Sequence, residues 1–183
     1  MILKTNKKKY QLSIINYQLL MAVGCWLLFT ACHIYTFKDV SIPPEIKSIK
    51  INFIENKARY VNPQVSPQLT DALQQKITNQ TRLNRTNNDD ASYVISGQIT
   101  GYDVTTVGVS NQGSTAAGFT NQLALTVHIS LKNNVSNKTD EFDIAQSAPF
   151  SGELSLSQAE GRLVPDLIKN TTDAIFNRIF TNW

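Results

Sequence analysis

The sequence predicts an α+β fold: a four-stranded, mainly antiparallel sheet with two helices packed on one face, in the order β-α-β-β-β-α. Three observations carry this expectation. Leu123, Leu125, Val127, Ile129 and Leu131 alternate with Ala124, Thr126, His128, Ser130 and Lys132, the two-residue period of a half-buried strand. Leu69, Ala72, Leu73 and Ile77 recur at helical spacing. A second helical stripe, Val164, Leu167, Ile168, Ile175, Ile179 and Phe180, lies near the end.

In chain order, residues 48–54 form the first strand, with Ile49, Ile51 and Phe53 on one side and Lys50 and Asn52 on the other. Ser66-Pro67 is a helix-start signal, so the first helix is expected over 67–80. The polar stretch 84–90 ends that unit. Residues 93–109 are rich in β-branched side chains. Tyr93, Ile95 and Ile99 share one face, but Tyr102 and Val104 switch parity, which calls for a bulge near Gly101. A loop over 110–121 leads to the alternating strand, residues 133–138 turn, and residues 140–150 make the last strand. Because the first strand reaches the next through a helix, that pair is expected to be parallel and the later three an antiparallel meander. Ser157 and Glu160 fit a capping box for the final helix. Pro165 inside it marks either a kink or the true start.

The N-terminal segment has a different character. Lys4, Lys7, Lys8 and Lys9 precede an unbroken apolar run over 19–29, and Thr30 and Ala31 then lead into Cys32. This is the pattern of a lipoprotein export signal: small residues before the cut, and a thiol after it to take a lipid. A retained membrane span needs about 20 apolar residues, and the clean run is 11. Cys25 is a second candidate, but cleavage there leaves Trp26, Leu27, Leu28 and Phe29 at the mature end. The expected organisation is a signal peptide over 1–31, a tether over 32–47 carrying a covalent lipid on Cys32, and a periplasmic domain over 48–183. The lipid is a covalent modification, and no cofactor is expected.

Charge excludes some functions. Of the 17 Lys and Arg, four leave with the signal, whereas all 14 acidic residues follow Cys32, so the mature part carries about −1. A global basic field for nucleic acid is absent. No catalytic constellation is evident, and no enzyme activity is expected. His33 and His128 read as solvated or structural. The acidic clusters Asp89-Asp90 and Asp140, Glu141, Asp143 lack calcium-loop spacing, so no metal site is expected. Two features suit binding. Arg82 and Arg85 follow the first helix, where they would complement its negative end or grip phosphate, and Lys132 ends a neighbouring strand. The loop over 110–121, including Gln112, Gly113, Ser114, Thr115, Ala116, Ala117 and Gly118, has no charge; it is a connector or a probe for a partner's cavity.

The stretches Cys32-His33-Ile34-Tyr35-Thr36-Phe37, Ser41-Ile42-Pro43 and Ser48-Ile49-Lys50-Ile51-Asn52-Phe53 resemble the start of an LptE-family lipopolysaccharide-assembly lipoprotein. Val65-Ser66-Pro67-Gln68-Leu69-Thr70, Thr81-Arg82-Leu83, Gly97-Gln98-Ile99-Thr100-Gly101-Tyr102, Asp173-Ala174-Ile175-Phe176-Asn177 and Asn182-Trp183 continue the match. The motifs are individually structural, and their order and spacing make the resemblance, which is to a divergent branch. It implies an outer-membrane lipoprotein on the periplasmic face, partnering an LptD-type β-barrel as plug and assembly factor and helping to insert lipopolysaccharide into the outer leaflet. It also implies that basic residues contact lipopolysaccharide, for which Arg82, Arg85 and Lys132 are the candidates, and that a hairpin loop enters the barrel. The residue after Cys32 is His33 rather than Asp, which fits outer-membrane sorting. The alternative is a lipoprotein subunit of another envelope assembly, such as a secretion pore or a surface appendage.

Overall fold

The computed structural model describes residues 42–110 and 118–181. The expected signal peptide (1–31), Cys32 and most of the expected tether lie outside the described residues, as do positions 111–117, 182 and 183. The elements are β1 (Ser48–Ile51), β2 (Glu55–Asn56), α1 (Val65–Gln80), β3 (Asn84–Arg85), β4 (Tyr93–Ser110), β5 (Gly118–Asn133), β6 (Lys138–Ser151) and α2 (Leu156–Phe180). The fold is α+β, as expected. The sheet has six strands rather than four, ordered β3-β1-β4-β5-β6 with β2 also beside β4. β3, β1 and β2 pair in parallel fashion, and β4, β5 and β6 form the antiparallel meander. The two added strands span two residues each, too short for alternation to announce them.

β5 organises the core. Its Leu123, Leu125, Val127 and Ile129 are fully buried beneath the helices. The register of β4 on β5 slips between Ile99 and Gly101, so Ile95, Ile99 and Tyr102 all reach the core despite their parity. That is the expected bulge.

The first strand departs from expectation after Ile51. Ile51 pairs with Ile95 and Glu55 with Gln98, so four steps on one strand oppose three on the other. The extra residue turns Phe53 outward, 56% exposed, and Ile54 into the core. Gly97 makes room for this. A Cβ there would stand 2.8 Å from Ile129 Cδ1, 3.0 Å from His128 O and 3.6 Å from Ile54 Cγ1.

Both helix starts shift. α1 begins at Val65, and Ser66 is buried inside its first turn rather than capping it. The Ser66 carbonyl instead accepts the Thr70 hydroxyl at 2.8 Å, and Thr70 Oγ1 accepts the Ile54 amide at 3.1 Å. Pro67 is tolerated because first-turn amides have no intrahelical acceptor. In α2 the cap is Ser155 with Gln158, two residues earlier than the expected Ser157 and Glu160. Glu160 is engaged elsewhere. The helix starts at Leu156 and continues through Pro165.

The helices are stapled to each other. Lys76 Nζ lies 2.8 Å from Asp173 and 5.0 Å from the Phe176 ring centroid, and Lys169 reaches the same carboxylate at 3.3 Å. Burial pushes the Asp173 pKa up, but the hydrogen bonds and charges of Lys76 and Lys169 outweigh it and hold the carboxyl below its ordinary value.

Replacing Gly97 with Ala forces the Ile129 side chain and the β5 backbone apart. The expected cost is about 1–3 kcal/mol, read as a lower urea midpoint with an unchanged m-value.

Candidate functional site

The distal β4–β5 hairpin is the most unusual surface. No Asp, Glu, Lys or Arg occurs from Val104 to Leu131. Val104, Val107 and Phe119 are exposed there, Phe119 at 59%. The β4–β5 ladder runs past the last β5–β6 pair, Thr120↔Ser151, through Val109↔Phe119 to Ser110↔Gly118. Gly152 then clamps the base of the hairpin: its amide donates to Phe119 O at 2.7 Å, and a Cβ at Gly152 would stand 2.7 Å from that oxygen. Any side chain at Gly152 would push the hairpin away. Of the loop residues expected to probe a partner, Gly118 opens β5, while Gln112, Gly113, Ser114, Thr115, Ala116 and Ala117 lie outside the described residues.

The two long edges of the sheet contrast. β6 carries Lys138, Asp140, Glu141, Asp143 and Pro149, residue types that discourage edge pairing. Beyond Ile99, the outer edge of β4 has no strand partner among the described residues and carries Thr and Val with a lone Asp103.

The three basic candidates do not gather at one point. Arg85 is in register with Ile49, on the helix side of the sheet, and its Nη1 donates to Gln74 Oε1 at 2.6 Å. The α1 terminus is closed by Thr81, whose amide and hydroxyl reach Ile77 O at 3.0 and 2.7 Å, rather than by an arginine. Lys132 shares a lateral row with Val94 and Lys50, one residue out of step with the Ile49 row and therefore on the opposite face. Lys50 bonds Asp89 at 2.5 Å. That hydrogen bond and charge, with a smaller contribution from Lys132, hold the Asp89 carboxyl below its ordinary value. Arg82 is exposed and makes no ion pair among the described residues. The same open face holds His128, whose Nδ1 lies 2.8 Å from Asp143 Oδ1.

A polar cluster that sequence reasoning missed joins the sheet, the segment before α1, and α2. The Tyr102 hydroxyl donates to Glu160 Oε1 at 2.9 Å, and Asn62 Nδ2 donates to the same oxygen at 3.1 Å. Tyr60 stacks on Tyr102, with centroids 5.8 Å apart and planes 15° apart. Beside them opens a recess of about 330 Å³ lined by Tyr60, Asn62, Pro63, Ser157, Glu160 and Gly161. Burial, then the Glu160 hydrogen bond and charge, push the Tyr102 phenol far above its ordinary value. The only sequence signal was the parity switch that brings Tyr102 inward. Glu160 was masked by its apparent capping spacing.

The profile of the lipopolysaccharide-assembly family LptE matches residues 46–179, nearly all of the folded part. The chain belongs to the LptE family. Among curated proteins none matches. A putative neuraminyllactose-binding hemagglutinin homologue from Helicobacter pylori shares the fold, with a TM-score of 0.52, 10% identity, and coverage of 78% of this chain and 90% of that one. Protein CT253 from Chlamydia trachomatis gives a TM-score of 0.47, 8% identity and coverage of 74% and 99%. Protein XCC0632 from Xanthomonas campestris gives 0.46, 8% identity and coverage of 74% and 87%.

Tyr102 provides a test of the buried cluster in this LptE-family protein. A phenol whose folded pKa is raised contributes stability that is complete below its unfolded pKa of about 10 and is lost as pH rises above that value. Wild type should therefore lose stability steeply above about pH 10. Tyr102→Phe should start less stable at neutral pH and decline less steeply, as measured by urea midpoints across the alkaline range.

Proposed function

We propose that this LptE-family chain is a lipoprotein that loses residues 1–31, carries its lipid on Cys32, and stands on the periplasmic face of the outer membrane. There residues 48–183 partner an LptD-type β-barrel as plug and assembly factor, and help to insert lipopolysaccharide into the outer leaflet. The observation that carries this reading is the uncharged hairpin with its exposed Val104, Val107 and Phe119. A segment entering the lumen of another protein must shed its water. Each unpaired charge would cost several kcal/mol there, whereas amides and hydroxyls can find partners in the lumen wall. The acyl chains on Cys32 would hold the domain at the bilayer, so the protein contacts need not supply all of the retention. Delivery of a glycolipid through such a complex breaks no covalent bond, and the role requires no catalytic residue.

A photo-crosslinking side chain at Ala116 should capture the barrel protein in intact cells. Capture of other envelope proteins without the barrel would reject insertion of the hairpin.

Arg82, Arg85 and Lys132 are assigned to the glycolipid's phosphates, to which arginine and lysine offer charge-assisted hydrogen bonds. Arg85 and Lys132 lie on opposite faces, so they would engage separate groups. Arg85→Glu and Lys132→Glu should each weaken lipopolysaccharide binding, and the double variant should show the sum of the two free-energy losses. Unchanged affinity in Arg82→Glu and in both of these variants would remove the assignment.

A further inference from the structure

We propose that the recess beside Glu160 is a binding site for a cationic side chain, an arginine guanidinium presented by a protein partner. Glu160 is a half-buried carboxylate with two hydrogen-bond donors and no cation within ion-pair distance among the described residues. Both donors, Tyr102 and Asn62, use Oε1, and the other oxygen accepts no hydrogen bond among the described residues. A partly desolvated carboxylate strongly favours a counter-charge, because the pair interacts through less water than at the surface.

The rest of the wall has the same preference. Pro165 has no N–H to give to the carbonyl of Gly161 four residues earlier, so this acceptor of a recess-lining residue lacks its usual helical partner. One face of the Tyr60 ring rests on Tyr102, and the residue as a whole remains 46% exposed, leaving a π surface for a cation. The recess is thus lined by a carboxylate residue and an aromatic one, with Gly161 beside them. An anion would be repelled, and a purely apolar group would leave the acceptors unpaired.

Shape selects the kind of cation. A planar guanidinium can stack on Tyr60 while directing its N–H groups at Glu160, whereas an ammonium acts as a point charge. The volume of about 330 Å³ is at the small end for ligand pockets, enough for a single side chain. Val61, next to Tyr60, is also exposed, so the rim joins an apolar residue to an aromatic one, as protein interfaces do. This site requires an arginine-bearing partner but not a barrel, and it stands apart from the hairpin reading.

The test uses the full-length, isotope-labelled protein in mild detergent, titrated with acetylated arginine amide and followed by NMR. Saturable shifts should centre on Tyr60, Glu160 and Gly161. Glu160→Gln keeps an acceptor for Tyr102 and Asn62 but loses the charge, and affinity should fall by about tenfold or more. Tyr60→Ala should weaken binding similarly, and Tyr60→Phe should retain it. Should Glu160→Gln fail to fold, the Tyr60 pair decides alone, because Tyr60 lies at the surface. Absence of saturable shifts, equal affinity in Glu160→Gln, or tighter binding of glucosamine than of arginine amide would overturn the proposal.

Discussion

The pairing of β5 with β4 on one side and β6 on the other is the constraint on which the rest of the molecule depends. Its alternation has no error from Leu123 to Leu131, so one register buries four apolar side chains and part of Leu131, and any one-residue slip would expose them all. With the register set, the helix side and the open side of every neighbouring strand follow. The bulges then act as local corrections. The slip at Ile99/Gly101 delivers Tyr102 to the core, and the extra residue before Glu55 exchanges Phe53 for Ile54. Gly97 faces that second correction across the ladder and leaves the space that Ile54 and Ile129 fill.

This explains how much of the fold was legible in the sequence. β5 is read directly because both of its neighbours are strands and its two faces differ in polarity. The β4 bulge was legible because two well-defined parities meet at a glycine. The slip before Glu55 was not, because Phe53 fits the earlier alternation and the residue that overrides it, Gly97, lies far away in sequence. The helix caps were misread for a similar reason. Ser66-Pro67 has the composition of a start, but a helix can begin ahead of a proline as long as the ring stays within the first turn. Ser157 and Glu160 have capping-box spacing, yet Ser155 and Gln158 have it too, with glutamine in place of glutamate. Only the tertiary demand for Glu160 at Tyr102 separates the two frames.

Candidate sites were less legible than the fold, since a sequence gives composition along the chain and not the face a residue occupies. Arg85 and Lys132 looked like one cluster because both flank the same end of the sheet. Register places them on opposite sides, with Lys50 as the nearer basic companion of Lys132. The absence of charge in the hairpin, by contrast, is a property of composition and was visible from the start. The structure adds that the uncharged region extends beyond the loop into both strands, with Val104, Val107 and Phe119 unshielded.

These features divide the surface into regions with different chemistry. β6 is armoured with charge and proline, which suits a strand that must not pair further. The distal half of β4 has lost that protection at the place where the chain also loses its charges. An unguarded edge and an uncharged hairpin are both liabilities for a domain alone in water, since each favours association. They cease to be liabilities if the surface is enclosed by a partner. The Glu160 recess differs in kind: its carboxylate accepts from Tyr102 and Asn62 but has no counter-charge among the described residues, which a cation brought by another chain would supply. The hairpin and the recess thus differ in chemistry: the first is free of charged side chains, and the second presents a carboxylate with no cation beside it among the described residues.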